Sequence, residues 1–249
     1  MIMDYFRLGK IGAVAHWKKV NGPINEHIKR HHKNYLMEKA RVIGFIMGDG
    51  CVTKLDRSPD RQHHDIRFYP DHISLVRIFL KDFKKLYLKE PRVKNLGKYF
   101  SVCVSSKPAC DDLRSIGNFD SLGWSMPKFT SKEEEIEWLR AIFDCEAYVG
   151  KKDLRIQSVS KKGIESIKNL LEHFRIQPRV YIYDRKNKNW NRNYILVIAK
   201  KKDIKRYQDL IGFNHNLKQK KLNKFAGVPE RLMGRSRKSL SERTSRFES

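Results

Sequence analysis

The sequence predicts an α+β chain made of two diverged copies of one α-β-β-α-β-β-α unit. Three observations lead there. Two apolar helical stretches, Ala40–Gly50 and Trp138–Ala147, each carry an acid at the end, Asp49 and Glu146, and these acids stand 97 residues apart. Short landmarks recur behind them in the same order. Asp65-Ile66-Arg67 returns as Asp153-Leu154-Arg155, Pro91-Arg92-Val93 as Pro178-Arg179-Val180, and Ile116-Gly117 as Ile211-Gly212, at offsets of 87 to 95. Between the landmarks the apolar pattern switches from period two to helical stripes at matching places.

The elements follow in order. Residues 1–34 form a basic N-terminal extension to which no element is assigned. The first unit, 35–126, opens with the Asp49 helix and continues in strands near 51–56 and 64–69. There Ile66 and Phe68 share one face, and Asp65, Arg67 and Tyr69 the other, the mark of a sheet with one apolar side. Ile73, Val76, Phe79, Leu80 and Phe83 make one helical stripe, followed by strands 92–96 and 99–105 and a helix near 108–116. The joint falls near Gly123–Thr130, with Pro127 inside it. Ser131 and Glu134 have capping-box spacing and start the next helix, in a second unit spanning 127–225. Strands near 147–151 and 153–160 place Leu154 and Ile156 opposite Arg155 and Gln157. A stripe of Ile164, Ile167, Leu170, Leu171 and Phe174 marks a helix, then come strands 179–185 and 194–199 and a helix over 201–211. Residues 226–249, with six Lys/Arg against three Glu, form a basic tail expected to be flexible or to order on nucleic acid.

Charge narrows the function. The 249 residues hold 53 Lys+Arg against 28 Asp+Glu, a net charge of +25 and a pI near 10.0. Hydrophobic residues at 40% and aromatics at 11% suffice for a core. A polyanion partner is implied, most often nucleic acid. An anionic membrane surface is the weaker reading, because no basic amphipathic anchor stands out. No apolar run reaches the ~18–20 residues that span a bilayer. Asp4, Arg7 and Lys10 interrupt the apolar stretch a secretory signal needs, so a soluble intracellular chain is expected. Cysteines at 51, 103, 110 and 145 lack the two-residue gap of a zinc or redox motif and read as reduced thiols. His27 and His31, four apart, could share a helix face, but Lys29, Arg30 and Lys33 would repel a cation there.

The chemistry rests on the two acids. A helix C-terminus exposes unpaired carbonyls and partial negative charge, so a carboxylate there is disfavoured. Gly44 with Gly48, and Ala141 with Cys145, put small side chains four apart on the two acid-ended helices. That spacing permits close helix packing, which would bring Asp49 and Glu146 together at one end. Converging carboxylates repel unless a cation sits between them, and paired hard oxygens suit Mg²⁺. Asp144 points elsewhere on the helix and is assigned polar support.

Val42–Gly50 and Leu139–Ala147 resemble the two motifs of a single-chain LAGLIDADG homing endonuclease, and the repeat covers residues 35–225. Ala141 and Ala147 depart from the motif glycines. The resemblance implies a pseudo-twofold pair of αββαββα units. Their four-stranded antiparallel sheets would form a saddle over the DNA major groove, with the motif helices packed between them. It implies that Asp49 and Glu146, with Gly48 and Cys145 in the metal set, hold Mg²⁺ or Mn²⁺ and position the attacking water. The implied reaction is hydrolysis of one phosphodiester per strand in double-stranded DNA, at a long specific site, by a monomer serving intron homing. Lys218, in Leu217–Lys221, is the closest match to the family's pocket lysine, and Lys161 is a second candidate. The first copy offers no basic counterpart in Asn118–Ser121.

Long polar side chains at period two are what a sheet needs to reach base edges. Arg67, Arg92, Lys94, Lys151, Arg155, Gln157, Arg179, Tyr181 and Tyr183 meet that description on the strands and their ends. Arg57, Arg61, Gln62, Arg185, Lys186, Lys188 and Arg192 are placed in two long turns as flanking contacts. Two alternatives share the fold: an intron RNA maturase, with or without DNA cleavage, and a non-catalytic DNA-binding regulator.

Overall fold

The computed structural model describes residues 5–31, 33–56, 62–184 and 191–225. The chain opens with one long helix, α1 (Tyr5–His31), where the sequence led to no assignment. Pro23 and the basic run around it hide the helical period. Ile24 is buried against the first unit, His27 Nε2 lies 2.8 Å from the Lys85 carbonyl oxygen, and the His31 ring stacks on Tyr35 at 5.3 Å. The two histidines therefore help dock α1.

The first unit runs α2 (Leu36–Asp49), β1 (Gly50–Asp56), β2 (Gln62–Phe68), α3 (Ile73–Tyr87), β3 (Arg92–Asn95), β4 (Phe100–Ser105) and α4 (Lys107–Ile116). The second repeats the order as α5 (Lys132–Glu146), β5 (Tyr148–Val149), β6 (Leu154–Ser158), α6 (Lys161–His173), β7 (Arg179–Tyr183), β8 (Asn193–Ile198) and α7 (Lys201–Leu210). One further helix, α8 (Asn216–Phe225), has no counterpart among the described residues of the first unit. Each unit forms an antiparallel four-stranded sheet, ordered β1-β2-β4-β3 and β5-β6-β8-β7. Gln62 corrects one expectation. It lies in β2, paired with Asp56, because the ladder of backbone hydrogen bonds extends further than the polar composition suggests.

Strand alternation puts one face of each sheet in the core. Ile66 and Phe68 are buried under α3, as are Leu154 and Ile156 under α6. In the first unit aromatic rings run from Phe45 to Phe68 (5.2 Å), Phe79 (4.9 Å), Phe83 (5.5 Å) and Tyr87 (4.8 Å). The opposite faces repeat each other. Arg67 and Arg92 both pair with Cys103, and Arg155 and Arg179 both pair with Val197. Asp65 reaches Arg67 at 3.2 Å, and Asp153 reaches Arg155 at 3.1 Å.

Between the sheets α2 packs directly on α5. A Cβ on Gly44 would stand 2.7 Å from Ala141 Cβ, and one on Gly48 2.6 Å from Cys145 Cβ. Such separations leave no room for a side chain, so small residues on both helices set the approach. Polar groups tie the same interface. Arg41 donates to both Asp82 oxygens (2.6 and 3.1 Å) and to Glu137 Oε2 (2.6 Å), while Glu137 also meets Arg140, whose Nε donates to the Ile211 carbonyl (2.6 Å). The cap expected at α5 is present. Ser131 Oγ accepts from Glu134 N (3.3 Å), and Glu134 Oε1 accepts from the hydroxyls of Ser131 (3.0 Å) and Thr130 (2.6 Å). No helix among the described residues is long and apolar enough to cross a membrane.

Candidate active site and nucleic-acid face

The last residues of α2 and α5 are the two acids, so helix packing decides their separation. A Cβ on Gly48 would lie 3.9 Å from Glu146 Cγ, which places the Glu146 side chain beside the residue preceding Asp49. Burial, reinforced by the Asp49 charge, raises the Glu146 pKa from an ordinary 4.5 to about 7, against the pull of Lys218. Burial also raises Asp49, with Asp71 adding to the effect and the Cys145 thiol and Lys218 opposing it. Both acids keep partial solvent contact. The pair therefore forms a site where ionised carboxylates are held at a cost that a cation removes.

Lys218 reaches this site from α8. Its Nζ donates to the carbonyl oxygens of Asp144 (2.6 Å) and Cys145 (2.9 Å), the last turn of α5. An ammonium there satisfies orphan carbonyls and offsets the negative end of the helix. Asp144 explains why α8 sits where it does. Fully buried, it accepts from the backbone amides of Asn214 (2.8 Å) and His215 (2.9 Å) through Oδ1, and burial lifts its pKa to about 7. Its expected supporting role is thus visible as a peg for the α7–α8 turn.

The first unit contributes to the same corner. His215 Nε2 meets Asp71 Oδ1 at 3.2 Å, and its ring packs on His72 at 4.6 Å. His72 caps α3 by accepting from Ser74 N (3.1 Å), while Ser74 Oγ donates to the Asn214 carbonyl (3.3 Å). Sequence reasoning missed Asp71, His72 and His215. Nothing local marks them, since they meet only across units, 143 or more residues apart for each pairing with His215.

The other expected residues spread more widely. Lys161 opens α6 and lies 3.6 Å from Glu165, exposed to solvent. The Cys145 carbonyl, in the implied metal set, faces Lys218, and Gly48 lies in the helix contact. Arg67, Arg92, Lys94, Arg155, Gln157, Arg179, Tyr181 and Tyr183 lie on the sheets' outward side, with Arg155 5.0 Å over the Tyr148 ring. Lys151 follows β5 and lines a basic hollow of about 800 Å³ with Lys152, Lys201, Lys221 and Lys224. Arg192 pairs with Asp184 at 2.6 Å. Arg57, Arg61, Arg185, Lys186 and Lys188 lie outside the described residues, as does the 226–249 tail.

Among the described residues no three His, Cys, Asp or Glu side chains gather to hold a metal alone. Two carboxylates suit a hard cation that keeps waters and takes phosphate oxygens as its remaining ligands.

Comparison with known proteins gives the same fold. Residues 133–212 match the family model of the LAGLIDADG-like domain. Three curated proteins of Methanocaldococcus jannaschii are similar to this chain. The isomerizing glutamine–fructose-6-phosphate aminotransferase is 28% identical over 77% of this chain and 18% of its own length. The probable translation initiation factor IF-2 is 27% identical over 94% and 18%, and the replication factor C small subunit 26% over 79% and 10%. The chain thus spans less than a fifth of the curated relatives it matches. Among solved structures, I-DmoI in complex with DNA and Ca has a TM-score of 0.58 at 17% identity, covering 72% of this chain and 91% of that one. I-DmoI with DNA and Mn gives 0.57 at 18%, covering 72% and 97%. Full-length DUF199/WhiA from Thermatoga maritima gives 0.52 at 16%, covering 84% and 64%. The chain therefore carries a LAGLIDADG-like domain in its second unit and has the two-motif fold of the homing endonuclease I-DmoI.

Proposed function

We propose that this chain is a site-specific double-strand DNA endonuclease of the homing type, hydrolysing one phosphodiester per strand with Mg²⁺ or Mn²⁺. One observation carries the reading: Asp49 and Glu146 meet at the ends of two tightly packed helices, with their pKa values raised and an ammonium beside them. A structural pair would lower its energy by spreading apart, whereas a metal-binding pair gains from convergence.

Each group has a role. Asp49 and Glu146 would hold the cation through carboxylate oxygens and would orient a water toward the scissile phosphorus. The bound divalent ion supplies Lewis acidity and charge neutralisation at the reacting phosphate. Lys218, held on the α5 carbonyls, places its positive charge where negative charge builds on the phosphate oxygens. The arginine rungs of the two sheets and their tyrosines hold the duplex, with arginine favouring guanine edges. I-DmoI structures with DNA and Ca or Mn support this assignment of partner and ion class. The matched segment recurs in an aminotransferase, an initiation factor and a replication factor, three unrelated activities. That recurrence supports a module whose own chemistry is independent of its surroundings.

A second reading is a DNA binder that does not cut, since a fold alone does not specify activity. Selection of cleaved sites from a random DNA library with Mg²⁺ separates the two. Double-strand breaks at one long site are expected, and Asp49→Asn or Glu146→Gln should abolish them while DNA affinity stays within a few-fold. Binding without cleavage under Mg²⁺ and Mn²⁺ would favour the second reading, and full cleavage by both variants would refute the site.

A further inference from the structure

A second basic concavity lies in the second unit. It is a hollow of about 700 Å³ between the end of α6, the helix α7 and the first turn of α5. Lys132, His173, Arg175, Lys202, Lys205 and Arg206 line it, against a single acid, Asp209. Lys205 neutralises that acid at 2.8 Å, so the charge balance is strongly positive. Two features shape the wall. Arg206 Nε donates to the Phe174 carbonyl (2.7 Å), which anchors the guanidinium, and Lys132 Nζ lies 5.7 Å over the Phe174 ring. Arg175 adopts a φ of 58°, the left-handed region that glycine enters freely, yet the position carries a cationic side chain.

The hollow is remote from the acids. Lys132 opens α5 and Glu146 closes it, a separation of roughly 21 Å at about 1.5 Å per residue. It also lies behind the sheet: α6 covers the buried side of Leu154 and Ile156, whereas Arg155, Gln157 and Arg179 face the other way. A duplex on that outward side leaves the hollow open. The sheet rungs supply few of the cations behind a net charge of +25.

We propose that this hollow is a second phosphodiester-binding site, which takes backbone phosphates of a nucleic-acid segment other than the one lying on the sheets. Arginine forks and lysine ammonium groups around a concave wall match phosphate oxygens, and long-range attraction favours a polyanion. The segment is either distal DNA or a folded RNA; both present the same phosphate chemistry. The site rests on the proposed seating of a duplex on the sheets but not on its cleavage, and the short duplex tests that seating separately.

The test uses the full chain and three labelled probes: a short duplex spanning the sheets alone, a long duplex and an RNA stem–loop. Lys132→Glu with Lys202→Glu reverses two exposed charges in first helical turns, where glutamate is favoured by the helix dipole. Lys132→Gln with Lys202→Gln is the milder pair should the first fail to fold. Arg77→Glu with Lys81→Glu on α3, also exposed, changes net charge equally and serves as control. The hollow variant should lose at least about tenfold in affinity for the long duplex or the RNA, with a log K against log salt slope shallower by about 1.5–2. Loss on the long duplex identifies distal DNA as the source, and loss on the stem–loop identifies RNA. Short-duplex binding and cleavage should match the control pair. Equal weakening by hollow and control pairs on every probe, or an equal loss on the short duplex, would overturn the proposal.

Discussion

Glu146 links the proposed metal site to stability. Its pKa in the fold is about 7 against an ordinary 4.5, so the folded state prefers the protonated form. Stability from this group is fully present below about pH 4.5 and is lost as pH rises through about 7. The whole swing is on the order of 3 kcal/mol. Asp144, also raised to about 7 by burial, titrates in the same direction and window. Thermal unfolding of the metal-free protein should therefore show a melting temperature that falls between about pH 5 and pH 8. Glu146→Gln should flatten that fall and melt higher than the natural chain at about pH 8. Added Mg²⁺ should raise the melting temperature of the natural chain and leave the variant nearly unmoved, since the cation acts through the ionised pair. A variant as pH-sensitive and as Mg²⁺-responsive as the natural chain would remove Glu146 from the site.

At the scale of elements, the α2–α5 contact is the part most sensitive to size and charge. Gly48→Ala forces a methyl group to within 2.6 Å of Cys145 Cβ. Denaturant unfolding should report a loss of about 1–3 kcal/mol for this overpacking. Adding Cys145→Gly should recover part of it in a double-mutant cycle, because the two positions share one gap. Charge matters about two turns earlier. Arg41→Met strands Asp82, only 2% exposed, and leaves Glu137 with Arg140 as its remaining cation. The expected loss is about 3–5 kcal/mol, and Asp82→Asn with Glu137→Gln in the Arg41→Met background should restore much of it. The capping box at Ser131 and the alternation of β2 and β6 were legible in the sequence, because each depends on neighbours a few residues apart. Helix α1 was not legible, since its docking on the first unit and not its own pattern holds it.

The whole molecule is a near repeat broken at one corner. Helix α8 brings Lys218 to the acids, while the described chain between α4 and α5 holds no helix and packs Trp124 on the start of α6, where a Cβ on Gly163 would meet the indole at 2.6 Å. Two strands cut by an asymmetric site should be cut unequally. A time course on supercoiled plasmid is expected to show a nicked intermediate, and Lys218→Met should slow one strand by about 10²–10³-fold while the other changes less. Equal slowing of both strands, measured with separate end labels, would place Lys218 outside the strand-specific chemistry.

The amino-acid order alone determined the repeat, the αββαββα unit, the two acids and the small residues that let their helices touch. Each of these is written in spacing, and spacing is a local property of the chain. Tertiary structure alone decided what surrounds the acids: Lys218 on the α5 carbonyls, Asp144 pegging the turn before α8, and Asp71 and His72 arriving from the first unit to meet His215. Those contacts join residues 70 or more positions apart. Burial, which sets the protonation of Glu146, exists only once both units have closed on each other.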